Sequence, residues 1–456
     1  MSFVGIDIGA SSTRYVSGNG EINELPNSIV HLPDFATSLI STDTDDIESC
    51  LEVKIKKNEP EQKTIKDTAD MDFFPANVLV GLMASKHRNT PERPSVQIAK
   101  HKQRNNFISV VLACAVSKIK YNLSDNMELY IAVPPSETVN AVAEKEFQAR
   151  LLGSYVVEFP KYMGGKTVAF SIDSIKVYAE SFMAATSFFF DMSGRVQDHA
   201  RGFLTGNILS LDIGASTTDM SIVQKGKFLD SSGRTFHYGG NTARENLSAS
   251  ISEIYGIDYP PEEVDRFMSE GRIQMGNVYE DASEIVNIAK QDLANIMMTE
   301  VENYFKSIKF PIQLLNAVVV SGGGSMQSQY VDENGSIVKT AEPMSYFVTQ
   351  KLTNWSKGTV VVSYGEDARY ANVKGLFIRA KMDELRRQQL AQANQAPVNN
   401  QAPVTPQPMA SAQAAQPQVN QTPVEPGPVV SAQAAQPQSP ILTQATSTQN
   451  NQPAQQ

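Results

Sequence analysis

A short motif that occurs twice limits the folds open to this chain more than any other feature. Gly5–Tyr15 reads Gly-Ile-Asp-Ile-Gly-Ala-Ser-Ser-Thr-Arg-Tyr, and Ser210–Met220 reads Ser-Leu-Asp-Ile-Gly-Ala-Ser-Thr-Thr-Asp-Met, so six of eleven positions are identical. In each copy an apolar run typical of a buried strand leads into a turn of small residues, where glycine tolerates a positive φ. A second alternating run follows the turn. We therefore predict two equivalent β-hairpins, one in each half of the chain.

Both motifs carry the groups of an anion-binding site. A tight turn of glycine, serine and threonine directs successive backbone N–H groups and hydroxyls to one point. Asp7 and Asp212, at the ends of the first strands, would repel a bare phosphate, so they suit phosphate only when a cation lies between. Two facing hairpins therefore suit a magnesium-bound polyphosphate. The alternative is two ordinary buried hairpins in which each aspartate caps its own turn, but the repetition of the motif favours the ligand.

Composition excludes several classes of protein. The 456 residues are enough for two or three domains, and the net charge of −10 argues against a protein built around nucleic-acid binding. Cys50 and Cys114 are too few for a disulfide framework or a metal knuckle and fit a reducing compartment. No apolar run reaches the ~18–20 residues of a membrane span. The first strand begins at Phe3, which leaves no room for a signal peptide, so we expect a soluble cytoplasmic protein.

The first half of the chain is predicted to contain a small inserted subdomain at about residues 26–104. This segment has mixed charge and several prolines, and we predict one clear strand in it, at Asn77–Leu82. A helix, a strand and an amphipathic helix are predicted to follow at Asn105–Tyr121, Glu128–Val133 and Thr138–Leu151. A basic run near the end of the insertion is expected to form a solvated face. Its members are Lys86, Arg88, Arg93, Lys100, Lys102 and Arg104.

From Glu180 onwards, polar residues or glycines stand at the ends of several predicted helices and strands. Glu180 begins one helix, and Gly239 and Gly240 precede another, whose N-terminus favours an anion. Three glycines follow a buried strand directly, where we expect the backbone to approach a ligand closely. The predicted elements are a helix at Ala179–Phe190, a helix from Gly240 to Ile254, strands at Asn316–Ser321 and Thr359–Val362, and a helix at Glu366–Gln389.

The composition changes abruptly at about Ala391. The last 66 residues contain 11 of the 24 prolines, no aromatic residue and a single charged side chain, Glu425. Such a segment cannot bury a core, so residues 391–456 are predicted to be a disordered tail rich in proline, glutamine and alanine. A spacer is favoured over a docking arm.

The order of these parts resembles the actin-like ATPase superfamily. The two Asp-x-Gly hairpins, the strand that ends in two prolines, the helix that begins at Glu180, and the strand that runs into Gly322–Gly324 occur in the order of that superfamily over roughly residues 1–385. Within it the chain is most similar to the bacterial ParM/StbA plasmid-segregation proteins. Val177–Ser181 resembles their segment with a water-orienting glutamate, and Asn77–Ala84 resembles a strand of their small subdomain.

The resemblance implies an α/β protein with two ribonuclease H-like domains, each built on a five-stranded sheet, around a nucleotide cleft. The domains are expected at residues 1–200 and 201–390. ATP (or GTP) and Mg²⁺ are the implied cofactors. Catalytic roles fall to Glu180, which would orient water, and to Asp7 and Asp212, which would hold Mg²⁺ mainly through water. The implied nucleotide-binding residues are Gly9, Ser11, Ser12, Thr13, Gly214, Ser216, Thr217, Gly239, Gly240, Arg244, Glu245, Gly322, Gly323 and Gly324.

The function implied is an ATP-dependent filament that segregates plasmid or other DNA. Its expected partners are copies of itself and a DNA-binding adaptor, with no direct contact to nucleic acid or membrane. A monomeric actin-fold kinase and a membrane-linked cell-shape or division protein remain as alternatives. The latter needs an amphipathic terminal helix, for which Arg379–Gln389 is the candidate, with a thin apolar face. A chaperone ATPase is disfavoured because the tail cannot form a β-rich peptide-binding domain.

Overall fold

The repeated motif folds as two hairpins, each within a sheet of its own, in a computed structural model. The structure describes residues 2–33, 50–58, 74, 76–87, 89–95, 97–161, 165–229, 232–352 and 359–395. The predicted tail from residue 396, Arg88 and parts of the predicted insertion lie outside these ranges. The first half comprises β1 (Ser2–Ile8), β2 (Ser12–Ser17), β3 (Ile22–Pro26), β4 (Ile29–His31), β5 (Cys50–Asn58), β6 (Ala76–Gly81), α1 (Leu82–Ser85), α2 (Arg104–Tyr121), β7 (Asn126–Val133), α3 (Pro135–Thr138), α4 (Val142–Leu151), β8 (Gly153–Glu158), β9 (Thr167–Ala179) and α5 (Glu180–Phe189).

The second half begins with the second hairpin and ends in a long helix. Its elements are β10 (Asn207–Ile213), β11 (Thr218–Gln224), β12 (Lys227–Phe228), β13 (Arg234–Phe236), α6 (Gly240–Tyr255), α7 (Pro261–Glu270), β14 (Arg272–Met275), β15 (Val278–Asp281), α8 (Ser283–Ser307), β16 (Leu315–Ser321), β17 (Gln329–Val331), β18 (Ile337–Lys339), α9 (Met344–Leu352), β19 (Val360–Ser363) and α10 (Ala371–Gln395).

The first sheet has nine strands in the order β3-β2-β1-β7-β9-β8-β5-β6-β4, so the expected five-stranded sheet is wrong here. Strands β1, β7 and β9 are parallel, and β5 pairs antiparallel with β8, which joins the insertion to the sheet. The strand predicted at Asn77–Leu82 is present as β6, but the prediction was incomplete because it omitted β4 and β5. It overlooked the alternation of Leu51, Val53 and Ile55, which are completely buried on one face of β5.

The second sheet has the order β12-β11-β10-β16-β19, with β13 paired to β11. Strands β10, β16 and β19 are parallel, and β11 returns antiparallel beside β10. Both sheets therefore place an antiparallel hairpin beside parallel strands. The mixed α/β class with two such sheets, as expected, is confirmed.

The predicted amphipathic helix at Thr138–Leu151 is broken into two. Asn140 and Ala141 have φ values of 56° and 54°, which interrupt the helical hydrogen-bond ladder between α3 and α4. Helix α4 then continues to Leu151. The helical spacing of the apolar residues was visible in the sequence, but the positive φ values of Asn140 and Ala141 were not.

Helix α10 packs against the first sheet, although it follows the last strand of the second. Its Leu376 and Phe377 join one core cluster with Phe3 of β1, and the Phe3 and Phe377 ring centroids are 5.5 Å apart. A side chain at Gly375 would collide with the Met183 carbonyl oxygen of α5, so glycine allows the two helices to touch. The chain therefore returns to the first sheet after completing the second.

Charged side chains hold the C-terminal part of α10 against strands of the first sheet. Arg387 donates to Glu128 at 2.7 Å, and Asp383 pairs with Lys176 at 2.8 Å. The candidate amphipathic segment 379–389 thus makes polar contacts with the first sheet. None of the helices in the described part of the chain is both long and apolar enough to cross a membrane.

Candidate functional site

The two hairpin turns have the same backbone geometry. The Gly9 N–H donates to the Ser12 carbonyl at 2.9 Å, and the Gly214 N–H donates to the Thr217 carbonyl at 2.8 Å. Each turn follows the carboxyl end of a central strand, and ligands in α/β proteins bind beyond such strand ends. The repeated sequence thus forms two equivalent turns, one on each sheet.

Four carboxyl groups from the two sheets form a buried cluster, which we call the carboxylate cluster: Asp7, Glu180, Asp212 and Asp219. Glu180 is the first residue of α5, directly after β9, and shares a hydrogen bond with Asp219. Burial raises the pKa of Glu180 well above its ordinary value, and the three aspartates raise it further, against the effect of Lys100. Acidic residues from both sheets therefore face one another.

The two aspartates of the second hairpin are also perturbed. Burial raises the pKa of Asp212 to about 6, with a contribution from Asp7, although hydrogen bonds from Asn372 and Ser321 oppose the shift. Burial raises the pKa of Asp219 to about 7, assisted by the charge of Asp212. Both carboxyl groups thus bind a proton more readily than an exposed aspartate does, and Asp219 is close to the midpoint of its titration at neutral pH.

Two cations balance part of this charge. The Arg14 guanidinium lies 3.4 Å from the Asp7 carboxylate, and the Lys100 ammonium forms a salt bridge with Glu180. Burial opposes the charged form of Lys100, but Glu180 and Asp7 outweigh it and raise its pKa. The predicted solvated face is therefore wrong for Lys100, because its side chain is turned into the cluster. Its neighbour Lys102 is exposed, as expected.

The hydroxyls of the first hairpin are used within the protein. Ser12 donates to Glu24, and Thr13 donates to the Asn27 side chain at 2.7 Å. Asn27 in turn donates to the Gly9 carbonyl at 2.6 Å, which fixes the turn. Ser11 is exposed. In this state Ser12 and Thr13 support the turn, while its backbone N–H groups and Ser11 remain candidates for a ligand.

The second hairpin is fastened to the start of α6. The Gly240 N–H donates to the Gly214 carbonyl at 2.9 Å, and the Asn241 side chain donates to the Ser216 hydroxyl at 3.0 Å. The half-buried Thr217 completes the turn. The N-terminus of α6 thus lies against the turn whose backbone N–H groups are predicted to bind phosphate.

The glycines that are predicted to contact a ligand pack closely around the turn of the second hairpin. Gly322 has a φ of 88°, and a side chain there would collide with the Ile213 carbonyl oxygen. A Cβ at Gly324 would lie 2.9 Å, and one at Gly239 2.8 Å, from the Gly214 carbonyl oxygen. Close backbone packing therefore accounts for these glycines. Gly323 is exposed beside them.

Arg244 and Glu245 of α6 have different surroundings. The Arg244 guanidinium donates to both oxygens of Asp265 at 2.7 Å and to the Asn241 side chain at 2.7 Å. Glu245 is exposed. Arg244 therefore braces α6 against α7 and fixes Asn241 beside the second hairpin, while Glu245 stands apart from the carboxylate cluster.

Three residues of the site were missed in the sequence. Asp219 occupies the position in the second motif that Arg14 occupies in the first, so the repeat itself marked it. Asn372 of α10 donates to Asp212 at 2.7 Å, but nothing local in the sequence links that helix to the second hairpin. Lys100 lay in a run of basic residues that looked solvated.

The donor chemistry of the cluster suits a hard divalent cation. Asp7 and Asp212 offer buried carboxylate oxygens from facing hairpins, which Mg²⁺ prefers. Within the described ranges, no three histidine, cysteine, aspartate or glutamate side chains are arranged to hold a metal ion together. A cation here would therefore rely largely on water and ligand oxygens for its coordination shell.

Comparisons with known proteins identify the architecture. Among solved structures, the actin-like protein Alp7A superposes with a TM-score of 0.62 at 16% identity, covering 86% of this chain and 99% of its own. The archaeal actin homologue Ta0583 gives 0.59 at 16% identity, with 84% and 100% covered. The chain has the actin-like fold. The superfamily resemblance in the sequence is thus confirmed for the fold.

Further matches agree with this actin-like fold. Bacillus thuringiensis ParM, solved with ATP, superposes with a TM-score of 0.57 at 17% identity, covering 84% of this chain and 99% of its own. A family model described as the C-terminal part of an archaeal actin homologue, MreB-like, matches residues 210–330. A search of curated proteins finds no match.

The actin-like fold also contains a cavity of about 690 Å³ away from the carboxylate cluster. None of the predicted site residues lines it. Its wall is mainly apolar and comes from the end of α5, the segment after it, β19 and α10. The lining includes Phe188, Met192, Phe203, Val362, Tyr364 and Ile378. The buried charges, rather than this apolar cavity, mark the candidate site.

Proposed function

We propose that this protein is an ATPase that binds a magnesium-bound nucleoside triphosphate between its two hairpin turns. The observation that carries the proposal is the carboxylate cluster, in which acids from both sheets are buried beside two turns rich in backbone N–H groups. Asp7 and Asp212 would hold Mg²⁺ through water. The metal would neutralise phosphate charge, while the turns bind phosphate oxygens.

In this proposal the remaining site residues divide between phosphate and nucleoside. Glu180 would orient the attacking water, because phosphoryl transfer depends mainly on positioning and charge stabilisation. The phosphates would contact Gly9, Ser11, Ser12, Thr13, Gly214, Ser216 and Thr217. The ribose and base, adenine or guanine, would lie near Gly239, Gly240, Arg244, Glu245, Gly322, Gly323 and Gly324. The named neighbours Ta0583 and ParM were solved with ADP and ATP, which supports a nucleotide as ligand.

We further propose that nucleotide binding controls self-assembly into filaments. Direct contacts join the two sheets beside the site: Arg369 donates to both oxygens of Glu24 at 2.8 Å, and Ser136 lies 3.1 Å from Thr235. A ligand bound by both hairpins would therefore set the angle between the sheets, and with it the surfaces offered to a second copy. A DNA-binding adaptor would connect such filaments to plasmid or other DNA in the cytoplasm.

The domain division follows from the same proposal. The nucleotide would lie between a first domain at residues 1–200 and a second at 201–390, with α10 crossing back to the first. The tail would act as a spacer outside the nucleotide site. Truncation after Gln395 should then leave nucleotide turnover unchanged, and a large loss of turnover would show that the tail contributes to the globular part.

Light scattering and pelleting test the proposed function. We expect assembly of the purified protein with ATP and Mg²⁺ or with a non-hydrolysable analogue, and disassembly as phosphate is released. Asp212→Ala serves as the matched control, since it should lose the response to the magnesium–nucleotide complex. Flat scattering with every nucleotide over a wide range of protein concentration would overturn the filament proposal, and failure to bind any nucleotide would overturn the ATPase proposal.

A further inference from the structure

Lys100 lies inside the carboxylate cluster, although it belongs to a short turn, Lys100–Lys102, near the end of the predicted insertion and just before α2. Its side chain is 19% exposed and its ammonium contacts Glu180. The same charge acts on Asp7 of the first hairpin and on Asp219 of the second. The ammonium therefore lies where groups from both hairpins converge.

The backbone of this turn is fixed from two sides. One Glu137 oxygen accepts the Lys100 N–H at 2.9 Å, and the other lies 2.7 Å from the His101 ring nitrogen Nδ1. The Asn106 side chain donates to the Lys100 carbonyl at 3.0 Å. These contacts hold the start of the lysine side chain in place, while its four-carbon stem leaves the ammonium able to change partner.

Burying a lysine has a cost in hydration and side-chain freedom that a single salt bridge rarely recovers. A phosphate ligand of the proposed site would explain why a lysine is buried here despite that cost. A nucleoside triphosphate adds negative charge beside four carboxyl groups, and Mg²⁺ offsets only part of it. A mobile ammonium at the junction of the two hairpins can bind a phosphate oxygen there as a point charge.

We propose that Lys100 binds the terminal phosphate of the nucleoside triphosphate, and that Glu180 holds the ammonium until that phosphate arrives. The inference rests on the proposed nucleotide site. The exchange replaces one charge-assisted hydrogen bond with another and makes or breaks no covalent bond. It frees the Glu180 carboxyl group to face the attacking water. Lys100 would thereby distinguish a triphosphate from a diphosphate, which lacks the group it binds.

Equilibrium binding of ATP and ADP, each with Mg²⁺, tests this exchange in the full-length protein. Lys100→Met should weaken ATP binding by roughly 10–100-fold and ADP binding by less than about threefold, because one charge-assisted contact is lost only with the triphosphate. Lys100→Arg should recover part of the ATP affinity. Lys102→Met, in the same turn but exposed, is the matched control and should bind both nucleotides like the wild type.

Glu180→Gln provides a second test that does not depend on the folding of the lysine variant. Removing the charge that holds Lys100 should strengthen ATP binding by about 3–10-fold and leave ADP binding unchanged. Equal losses for ATP and ADP in Lys100→Met, no loss of either, or weaker ATP binding by Glu180→Gln would each overturn the exchange. A wild-type protein that binds neither nucleotide would instead overturn the proposed function itself.

Discussion

The two hairpins share a backbone but differ in charge at one repeated position. In the first, Arg14 stands opposite Asp7 in the strand register and lies 3.4 Å from it. In the second, Asp219 stands opposite Asp212, so two acids occupy the matching places. The first hairpin is thus charge-balanced by its own residues, whereas in the second the aspartates are held by hydrogen bonds from neighbours such as Asn372 and Thr235. The repeated motif gives both turns the same backbone shape. The exchange of Arg14 for Asp219 at the matching position gives the two hairpins different charges.

The largest expected effect concerns Glu180, which contacts the acidic hairpin through Asp219. If Glu180 orients water, Glu180→Ala should bind ATP at least as tightly as the wild type and still assemble, but its turnover should fall by roughly 10²-fold or more. Phosphate release under saturating ATP is the measurement, and filaments of the variant should persist because they do not reach the diphosphate state. The other explanation is that Glu180 merely favours the positive end of α5, worth ~0.3–1 kcal/mol. Unchanged phosphate release would favour that explanation.

The second-largest expected effect concerns the aspartates near the ends of β1 and β10. Asp212→Asn should weaken magnesium-dependent nucleotide binding by about 100-fold, whereas Asp7→Asn, whose partner Arg14 already balances it, should do so by about 10-fold. Titration of Mg²⁺ at fixed nucleotide separates the two variants. Equal effects would mean that the charge difference between the hairpins has no bearing on the cation.

Stability in the absence of ligands should change in opposite directions at the repeated position. Arg14→Met leaves Asp7 buried without its cation and should lower the free energy of unfolding by ~1–3 kcal/mol. Asp219→Asn removes a buried like charge and should raise it by about 1 kcal/mol at pH 8. Urea unfolding without Mg²⁺ or nucleotide measures both. Changes of the same sign would contradict the proposed division of charge.

The pH dependence sharpens this test. Burial raises the pKa of Asp219 to about 7, so between about pH 4 and 7 the folded state binds more protons at this group than the unfolded chain does. Its contribution to stability is therefore full at low pH and is lost as the pH rises from about 4 to 7. Asp219→Asn should abolish this pH-dependent loss of stability. The variant should therefore be more stable than the wild type at pH 8, and the difference in the free energy of unfolding should vanish below about pH 4.

The smallest expected effect separates two turn hydroxyls, Ser12 of the first hairpin and Ser216 of the second, which occupy neighbouring rather than equivalent positions of the motif. Ser12 donates its hydrogen to Glu24, whereas Ser216 accepts a hydrogen bond from Asn241, and under the proposed function it would donate its own hydrogen to a phosphate oxygen. Ser216→Ala should therefore weaken nucleotide binding by about 3–10-fold, and Ser12→Ala by less than about twofold. A larger loss from Ser12→Ala in the same binding assay would show that its hydroxyl changes partner when the ligand binds.

The sequence predicted those parts of the fold that local pattern determines. The hairpins, the strand before Gly322 and the start of α5 at Glu180 follow from apolar runs and adjacent small or polar residues. The nine-stranded sheet could have been partly anticipated, because the alternation in β5 is visible in the sequence. Its pairing with β8 could not, since residues almost a hundred positions apart are brought together by tertiary structure.

The same limit applies to the candidate site. Asp7 and Asp212 are the penultimate residues of β1 and β10, and Glu180 directly follows β9, so their convergence was predictable once two similar sheets were expected. Lys100 and Asn372 reach the cluster from a turn and from the last helix, and neither has a local pattern that points there. Whether a basic residue faces solvent or a buried acid depends on how the surrounding chain packs.

The position of α10 has a consequence for how the protein is made. The face of the first sheet that carries Phe3, Val16 and Tyr130 is covered by α10, which is translated after the whole of the second sheet. At ~5–20 residues per second, the ribosome needs tens of seconds to pass from the end of α5 to Phe377. During that time the apolar face has no native cover from α10. Folding of the N-terminal half is therefore completed only after translation has passed the second sheet.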